Sequence, residues 1–221
     1  TMDRMVQACD DAGVKFSAIF QRRTYASSKM VRDAIQTGKL GRMTFGDASL
    51  RYFRSQEYYD SAGWRGTWEL DGGGALMNQG VHGIDLIQWF MGGVEEVCAY
   101  TGTLTHRIDV EDCAVIALQY KSGALGVLEG TTSAYGESET RIEVRGEKGA
   151  IVLDDQSIVR WDVEGTSEMI TEEEKAGSES SDPAKIAFTG HCIQIQDLID
   201  AIRTDRDPFV TGREAMSAVE V

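Results

Sequence analysis

Basic residues are scarce in this sequence. It carries 22 lysine and arginine residues against 36 aspartate and glutamate residues, which leaves a formal net charge of −14 at pH 7. Such a balance repels phosphate backbones and anionic membranes, so neither nucleic acid nor a membrane is expected as a partner. No run approaches the roughly 18 consecutive apolar residues of a membrane span, and the N-terminus lacks the basic-then-apolar pattern of a signal peptide. A cytoplasmic location is therefore expected.

Cysteine and proline are also few. The four cysteines, at positions 9, 98, 113 and 192, form no C-x-x-C pair and have no histidine at zinc-finger spacing. We interpret them as buried free thiols of a reducing compartment. Two prolines, 42% hydrophobic residues and 26% charged residues are typical of an ordinary globular protein. At about 150 residues per domain, the length corresponds to roughly one and a half domains.

The first twenty residues have the pattern of a helix followed by a strand. Apolar residues recur at three- and four-residue intervals from Met2 to Cys9, and Gly13 marks the predicted helix end. Val14 to Phe20 then has the composition of a strand. Because a parallel strand needs a neighbour laid down before its crossover helix, we expect the chain to begin part-way through an α-β unit.

Strand signals follow at short spacing after a second predicted helix, Ser28 to Gln36, which Gly38 closes. Glycine-bearing turns join several of these strands, a pattern typical of an antiparallel meander. The predicted fold class is α+β, with one large, mostly antiparallel open sheet and helices on one face. The predicted strands are Thr44 to Arg54, Val94 to Leu104, Asp112 to Tyr120, Leu125 to Thr132, Thr140 to Arg145, Ala150 to Leu153 and Ile158 to Val163.

The other face of that sheet must be solvated or covered by another subunit. Hydrophobic residues at Val115, Ala117, Val127 and Ile151 make a subunit contact plausible there.

Two features stand out in the last third of the chain. Glu164 to Asp182 carries seven acidic residues and one lysine, which predicts a solvated loop, with a docking tail as the alternative. Thr211 and Glu214 have the spacing of a capping box, which predicts a final helix. Because that helix runs to Val221 without a terminator, we expect the C-terminus to be cut as well.

The glycine-rich segment before residue 75 introduces the most concentrated chemistry. Gly72, Gly73 and Gly74 precede a predicted helix and would present free backbone N–H groups at its N-terminus. They do not complete a dinucleotide-binding fingerprint, because Met77 stands at the third glycine position.

The helix after the glycines carries a polar row. At about 100° per residue, Asn78, His82 and Asp85 fall within roughly 60° of one another, with Trp89 on the same stripe. Buried polar groups are costly unless they are satisfied, so this row indicates a polar cavity. The alternative is a histidine that is hydrogen-bonded inside the core.

Metal and hydrolytic chemistry have weaker support. His82 and Asp85 stand three residues apart, as metal ligands can, but His106 and His191 lie in segments with no matching periodicity. No metal is therefore expected. The sequence also has no Gly-x-Ser-x-Gly elbow for a nucleophilic serine.

A series of runs extends along essentially the whole chain: Phe20–Arg23, Val31–Arg32, Gly38–Gly41, Trp64–Arg65, Gly72–Asp85, Gly190–His191, Asp197–Ile202 and Pro208–Glu214. In content and order the series resembles the glucose-fructose oxidoreductase and inositol dehydrogenase (Gfo/Idh/MocA) family. The most specific part is the string G-G-G-x-L-x-[DN]-x-G-x-H-x-x-D, which Gly72 to Asp85 follows.

The resemblance implies an NAD(P)-dependent oxidoreductase with two domains. Family members have an N-terminal Rossmann domain, with a glycine loop and a catalytic lysine in a Glu-Lys-Pro motif, and a C-terminal domain like that of glyceraldehyde-3-phosphate dehydrogenase. Neither motif occurs here. By family order, residues 1–20 are the last helix and strand of a truncated Rossmann domain, and residues 21–221 are the substrate-binding and oligomerisation domain. NAD or NADP would be bound mainly by the absent domain.

The resemblance also assigns roles to residues. His82 takes the place of the catalytic histidine, which exchanges a proton with the substrate while hydride moves to or from the nicotinamide. Asn78 takes a position often held by aspartate, and an amide can orient a hydroxyl but cannot relay its proton. Trp64 and Arg65 match a pair beside the nicotinamide. The candidate substrate-binding residues are Arg22, Tyr52, Asp85 and His191.

Two functions remain open. The first is the substrate domain of a dehydrogenase acting on a sugar, polyol or similar hydroxyl compound. The second is a non-catalytic ligand-binding or oligomerisation module of the same fold, because Asn78 replaces a carboxylate and the open sheet face can form an interface. Under either function, we expect a homo-oligomer that forms through that face.

Overall fold

The computed structural model describes residues 2–136, 138, 140–165 and 188–221. Within these residues, seven strands form one sheet, and helices pack against it. The helices are α1 (Met2–Ala12), α2 (Ala26–Gln36), α3 (Gln56–Asp60), α4 (Val81–Met91), α5 (Thr189–Thr204) and α6 (Gly212–Glu220), with a 3-10 turn at Gln21–Thr24 and a π-helix at Ala75–Gly80. The strands are β1 (Met43–Arg51), β2 (Val94–Gly102), β3 (Cys113–Tyr120), β4 (Leu125–Thr131), β5 (Arg141–Gly146), β6 (Gly149–Asp154) and β7 (Ser157–Val163).

The sheet has the order β2-β3-β4-β1-β5-β6-β7. Strands β2 to β4 and β5 to β7 form two antiparallel meanders. Between them lies β1, parallel to β4 and antiparallel to β5. The α+β class and the seven strand segments are confirmed, but the central place of β1 does not follow from the order of the strands along the chain.

Helix α4 packs closely against β1 in the core. Gly83 makes this approach possible, because a Cβ at that position would overlap the side chain of Leu50. Leu50 itself is fully buried, and burying a leucine of this kind contributes roughly 1.5–3 kcal/mol.

The open face of the sheet carries two of the hydrophobic residues predicted for it. Val115 and Val127 are 49% and 40% exposed there.

Two predictions about the sheet are wrong. Val14 to Phe20 does not form a strand; Ser17 makes a single β-bridge with Thr211. A strand needs a neighbour for its backbone hydrogen bonds, and the described residues supply one only at that point. Ile151 is fully buried rather than on the open face, because it lies opposite the buried Val144 of β5.

The cysteines are free, but the prediction that they are buried is wrong. Cys98 and Cys192 are exposed and Cys9 and Cys113 are half-buried. Cys98 lies on β2, an edge strand of the sheet whose residues from Glu95 to Thr101 are all exposed.

The helix ends follow their sequence signals. Thr211 and Glu214 form the predicted capping box of α6, in which each side chain accepts the backbone N–H of the other residue.

Residues 166–182 of the predicted acidic loop lie outside the described residues. No helix in the described part of the chain is long and apolar enough to cross a membrane.

Candidate active site

The segment that carries Asn78 is a π-helix. It spans Ala75–Gly80 and leads directly into α4, whose first turn carries His82. A Cβ at Gly80 would lie 2.9 Å from the backbone oxygen of Ala75, so the wide turn depends on a glycine. The spacing of about 100° per residue therefore does not hold across this segment, and short π-helices often occur at functional sites.

Glu111, from a separate loop, caps the N-terminus of this π-helix. The Glu111 carboxylate accepts the N–H groups of Gly74 and Leu76, both at 3.0 Å, and its backbone oxygen accepts the N–H of Ala75 at 2.9 Å. A Cβ at Gly74 would overlap that backbone oxygen. The prediction of free N–H groups after the glycines is therefore wrong at these positions: the glycine run admits a carboxylate of the chain itself.

A buried pair holds the loop that carries Glu111. Asp112 is fully buried and lies 2.9 Å from Nδ1 of His106. Burial by itself would raise the pKa of Asp112, but N–H groups from Leu104, His106 and Thr105 and the His106 ring donate to the carboxylate and lower the pKa below its ordinary value. The other ring nitrogen of His106 lies 2.8 Å from the backbone oxygen of Arg54.

Asp71 connects the Trp64–Gly66 turn to Asn78. Its Oδ2 accepts the N–H of Gly66 at 2.9 Å, and its Oδ1 accepts Nδ2 of Asn78 at 2.9 Å. A carboxylate can only accept, so both donors are matched. The predicted cofactor pair and the predicted catalytic amide are thus tied together by one side chain.

A second connection runs through Tyr58. Gln79, next to Asn78, donates from Nε2 to the Tyr58 hydroxyl at 3.3 Å and to Oδ1 of Asn78 at 3.2 Å. The Arg65 guanidinium lies 4.1 Å from the Tyr58 ring centroid and donates to the Tyr58 backbone oxygen at 3.0 Å. Beside it, the Trp64 indole is 42% exposed.

His82 is half-buried at the start of α4. Its ring meets the Phe20 ring edge-on, with the centroids 5.9 Å apart and the planes at 82°. Phe20 is buried and directly precedes the 3-10 turn that carries Arg22 and Arg23. The predicted catalytic histidine therefore lies against the residue that leads into this arginine-bearing turn.

Asp85 forms a buried ion pair. Arg23 donates from Nε to Oδ2 at 2.8 Å and from Nη2 to Oδ1 at 2.6 Å, and Asp85 is fully buried. Burial raises the pKa of the Asp85 carboxyl, while the hydrogen bonds and charge of Arg23 lower it; the net direction is upward. Both oxygens are used inside the protein, so Asp85 contacts Arg23 where a substrate contact was predicted.

Arg22 and Tyr52 meet at one hydroxyl. Nη2 of Arg22 lies 3.1 Å from Oγ1 of Thr140, and the Tyr52 hydroxyl lies 2.9 Å from the same atom. Arg22 and Tyr52 are only 3% and 5% exposed. The two predicted substrate-binding residues are therefore brought together, below the surface.

His191 lies in the first turn of α5, half-buried. The preceding Gly190 packs so closely on Gln21 that a Cβ would stand 2.8 Å from the Gln21 Cβ. This helix start thus lies beside the arginine-bearing turn.

Among the described residues, no cluster of three histidine, cysteine, aspartate or glutamate side chains could hold a metal ion.

Asp71 and Glu111 are the site residues that sequence reasoning missed. Each acts through a contact between residues distant in the chain or in an irregular loop, and neither contact has a periodic signature. The one available signal was the adjacency of Asp71 to Gly72, since a carboxylate before a glycine run can reach backbone N–H groups nearby.

The sequence of this chain is similar to a known domain family and to known dehydrogenases. A family model of the GFO/IDH/MocA C-terminal domain matches residues 28–152. Myo-inositol 2-dehydrogenase of Thermotoga maritima is 31% identical over an alignment of 183 residues that covers 74% of this chain and 49% of that protein. The chain thus spans about half the length of the curated relatives it matches.

Solved structures include similar chains. The WlbA dehydrogenase from Bordetella pertussis, in complex with NADH and UDP-GlcNAcA, is 36% identical with a TM-score of 0.83, over 99% of this chain and 62% of that one. The WlbA dehydrogenase from Chromobacterium violaceum, also with NADH and UDP-GlcNAcA, is 33% identical with a TM-score of 0.85, over 99% of this chain and 61% of that one.

Proposed function

The chain belongs to the GFO/IDH/MocA family by its C-terminal domain, and from this premise we propose that it is the substrate domain of an NAD(P)-dependent oxidoreductase. The reaction is hydride transfer between the nicotinamide and a carbon of a sugar, polyol or similar hydroxyl compound. Residues 1–20 are the end of the dinucleotide-binding domain, and residues 21–221 form the substrate-binding and oligomerisation domain.

One observation carries the proposal: Asp71 and Tyr58 tie the segment bearing Asn78 to the Trp64–Arg65 turn. The segment that leads into the helix of His82 and a surface for a planar cofactor are thereby held in one framework. Such a framework is what coupled transfer of a hydride and a proton needs.

The proton is handled by His82. For oxidation, the imidazole takes the hydroxyl proton as the carbon loses hydride, so that a neutral carbonyl forms; for reduction it returns the proton to the oxygen. Asn78 orients the reacting hydroxyl through its amide. Asp85 acts indirectly, by holding Arg23 and the turn that follows Phe20 against α4.

The Trp64–Arg65 turn fits a nicotinamide cofactor. The indole is 42% exposed and can cover a planar ring, and the Arg65 guanidinium beside it is held over the Tyr58 ring, 4.1 Å from the centroid. A guanidinium with donors to spare can reach a phosphate or a substrate oxygen. When bound, the cofactor supplies or accepts the hydride.

The substrate class is a hydroxyl compound of the sugar or polyol type. The 36% identity to a WlbA dehydrogenase solved with UDP-GlcNAcA supports a nucleotide-linked sugar acid as one candidate. The 31% identity to a myo-inositol 2-dehydrogenase supports a free polyol as another. Arg22, Tyr52 and His191 are the residues proposed for the substrate side of the domain, with Arg22 and Tyr52 acting from below the surface, where both contact Thr140.

The partner is a second copy of the chain. The exposed Val115 and Val127 lie on neighbouring strands β3 and β4, with Ala117 directly opposite Val127. An apolar strip of this kind on a broad sheet is suited to face-to-face packing of two copies.

The test uses the full-length polypeptide that contains this chain. It is mixed with NAD(H) or NADP(H) and a panel including UDP-GlcNAcA, myo-inositol and free aldoses, and absorbance is followed at about 340 nm, a property of the reduced nicotinamide. Turnover of at least one compound is expected, and chain 1–221 alone should show none. Absence of turnover and of cofactor binding by the full-length polypeptide would overturn the proposal.

A further inference from the structure

We propose that Asp71 is a positioning residue that turns the Asn78 amide, so that Asn78 offers its carbonyl oxygen and not its NH2 group to the substrate hydroxyl. The inference rests on the proposed hydride-transfer function. It adds a residue, Asp71, that no similarity assigns and that lies outside the polar row of the helix.

The orientation follows from the donors and acceptors present. An ionised carboxylate accepts hydrogen bonds and donates none. Oδ1 of Asp71 lies 2.9 Å from Nδ2 of Asn78, so the amide must direct its NH2 group toward Asp71. The reversed amide would set its oxygen against a carboxylate oxygen.

The oxygen of Asn78 then keeps spare capacity. It accepts Nε2 of Gln79 at 3.2 Å, and an amide oxygen has two lone pairs. One lone pair is left for a hydroxyl, so Asn78 accepts a hydrogen bond as an aspartate at this position would.

The pair also places a negative charge near the carboxylate position that the family resemblance predicts. Asn78 itself is neutral, and the charge stands on Asp71, one hydrogen bond behind it. Asp71 and Asn78 together thus supply an acceptor oxygen and a nearby charge, which a single aspartate would combine in one group.

A count of hydrogen bonds predicts how three variants behave. In the wild type, Asp71 satisfies both Gly66 N–H and the Asn78 NH2 group. Asp71→Asn leaves one oxygen for these two donors, so one of them faces an NH2 group. Asn78→Asp puts two carboxylates at hydrogen-bond distance, where they must share a proton.

The exchanged pair Asp71→Asn/Asn78→Asp satisfies every group again. The new amide oxygen at position 71 accepts Gly66 N–H, and the new NH2 group donates to the new carboxylate at position 78. Two harmful single substitutions should therefore compensate each other.

The experiment measures kcat and KM of the full-length polypeptide with the best substrate of the panel. Asp71→Asn should lower kcat by about 10- to 100-fold, with less effect on KM, because the reacting hydroxyl is misplaced rather than unbound. Asn78→Asp should be impaired similarly, and the exchanged pair should return to within about tenfold of wild type. Glu69→Gln, which removes an exposed charge from the same loop, should match wild type.

The pH profile separates positioning from a general loss of structure. Asn78→Asp should add a new step to the pH dependence of kcat, because the shared proton is held at a raised pKa. The exchanged pair should lack that step, since its carboxylate accepts from an amide. An Asp71→Asn variant with wild-type kcat, or an exchanged pair no better than Asn78→Asp, would overturn the proposal.

A readout without turnover keeps the two proposals distinguishable. Folded Asn78→Asp holds a shared proton at a raised pKa, so its extra stability is present at low pH and lost as pH rises through that pKa. Its thermal midpoint should therefore fall relative to wild type between about pH 5 and 8, and the exchanged pair should remove this fall. If all forms lack turnover, the hydride-transfer function fails, whereas midpoints that move in parallel would reject the Asp71 contact.

Discussion

Arg23 and Asp85 are joined by two parallel hydrogen bonds, and the two side chains are only 4% and 1% exposed. The pair connects the turn after Phe20 to α4, three residues beyond His82. Because Phe20 also meets the His82 ring, this ion pair fixes one wall around the proposed acid/base group.

Breaking this pair should cost much more than breaking an exposed one. Asp85→Asn leaves the buried Arg23 charge with only the exposed Glu214 carboxylate, 3.9 Å away, as a counter-charge, so the free energy of unfolding should fall by about 3–5 kcal/mol. Arg213→Ala breaks an ion pair with Asp10 in which the Arg213 and Asp10 side chains are 72% and 52% exposed. It should cost less than about 1 kcal/mol. Urea unfolding of both variants checks the difference; equal losses would contradict it.

The contact between Glu111 and the glycine run predicts a position-specific effect. Gly74→Ala forces a methyl group onto the backbone oxygen of Glu111, so it should destabilise the protein by about 1–3 kcal/mol or more. Gly63→Ala meets nothing within 4 Å and should change stability by less than about 0.5 kcal/mol. Thermal unfolding tests both, and a tolerated Gly74→Ala would show that the glycine is not needed for this approach.

Asp112 should make stability depend on acid pH. Its pKa is lowered in the folded state by the backbone and His106 hydrogen bonds, so its contribution is present above the ordinary pKa of about 3.9 and is lost as pH falls through the lowered folded value. Asp112→Asn should therefore be less stable than wild type at pH 7, with a difference that shrinks below about pH 4. Denaturant titrations at several pH values measure it; a constant difference would contradict the assignment.

The open sheet face should support self-association. Val127→Glu places a charge on this face opposite Ala117 of β3, and burying it between two copies should raise the dimer dissociation constant at least about tenfold. Ile202→Glu adds the same charge on α5, where Ile202 is 59% exposed, and serves as the control. Sedimentation equilibrium distinguishes them. A wild type that stays monomeric at high concentration would reject the interface.

Local patterns predicted most of the elements. The seven strands, the Thr211–Glu214 capping box and the association of His82 with a glycine-led helix all depend on residues close together in the chain, so spacing reveals them. The errors occur where a partner decides the outcome. Val14 to Phe20 has strand composition but one bridge to Thr211, and Ile151 has its side set by pairing with β5.

In the site, too, residues within one local pattern were predicted, and residues that act through distant contacts were not. Asn78 and His82 were found because they lie four residues apart in one string. Asp71 and Glu111 were not, since their contacts depend on a π-helix and on loops that cross over it. Asp85 shares the predicted row of the helix, but Arg23 packs onto that part of the row and removes the carboxylate from water.

The central claim is that His82 transfers the proton in a hydride-transfer reaction. Its most direct test is kcat of the full-length polypeptide carrying His82→Ala, measured with saturating cofactor and the best substrate, beside an unfolding curve that shows the fold is intact. We expect kcat to fall by about 10²- to 10⁴-fold, the usual contribution of a general acid/base, with cofactor affinity unchanged. Wild-type kcat in the folded variant would contradict the claim.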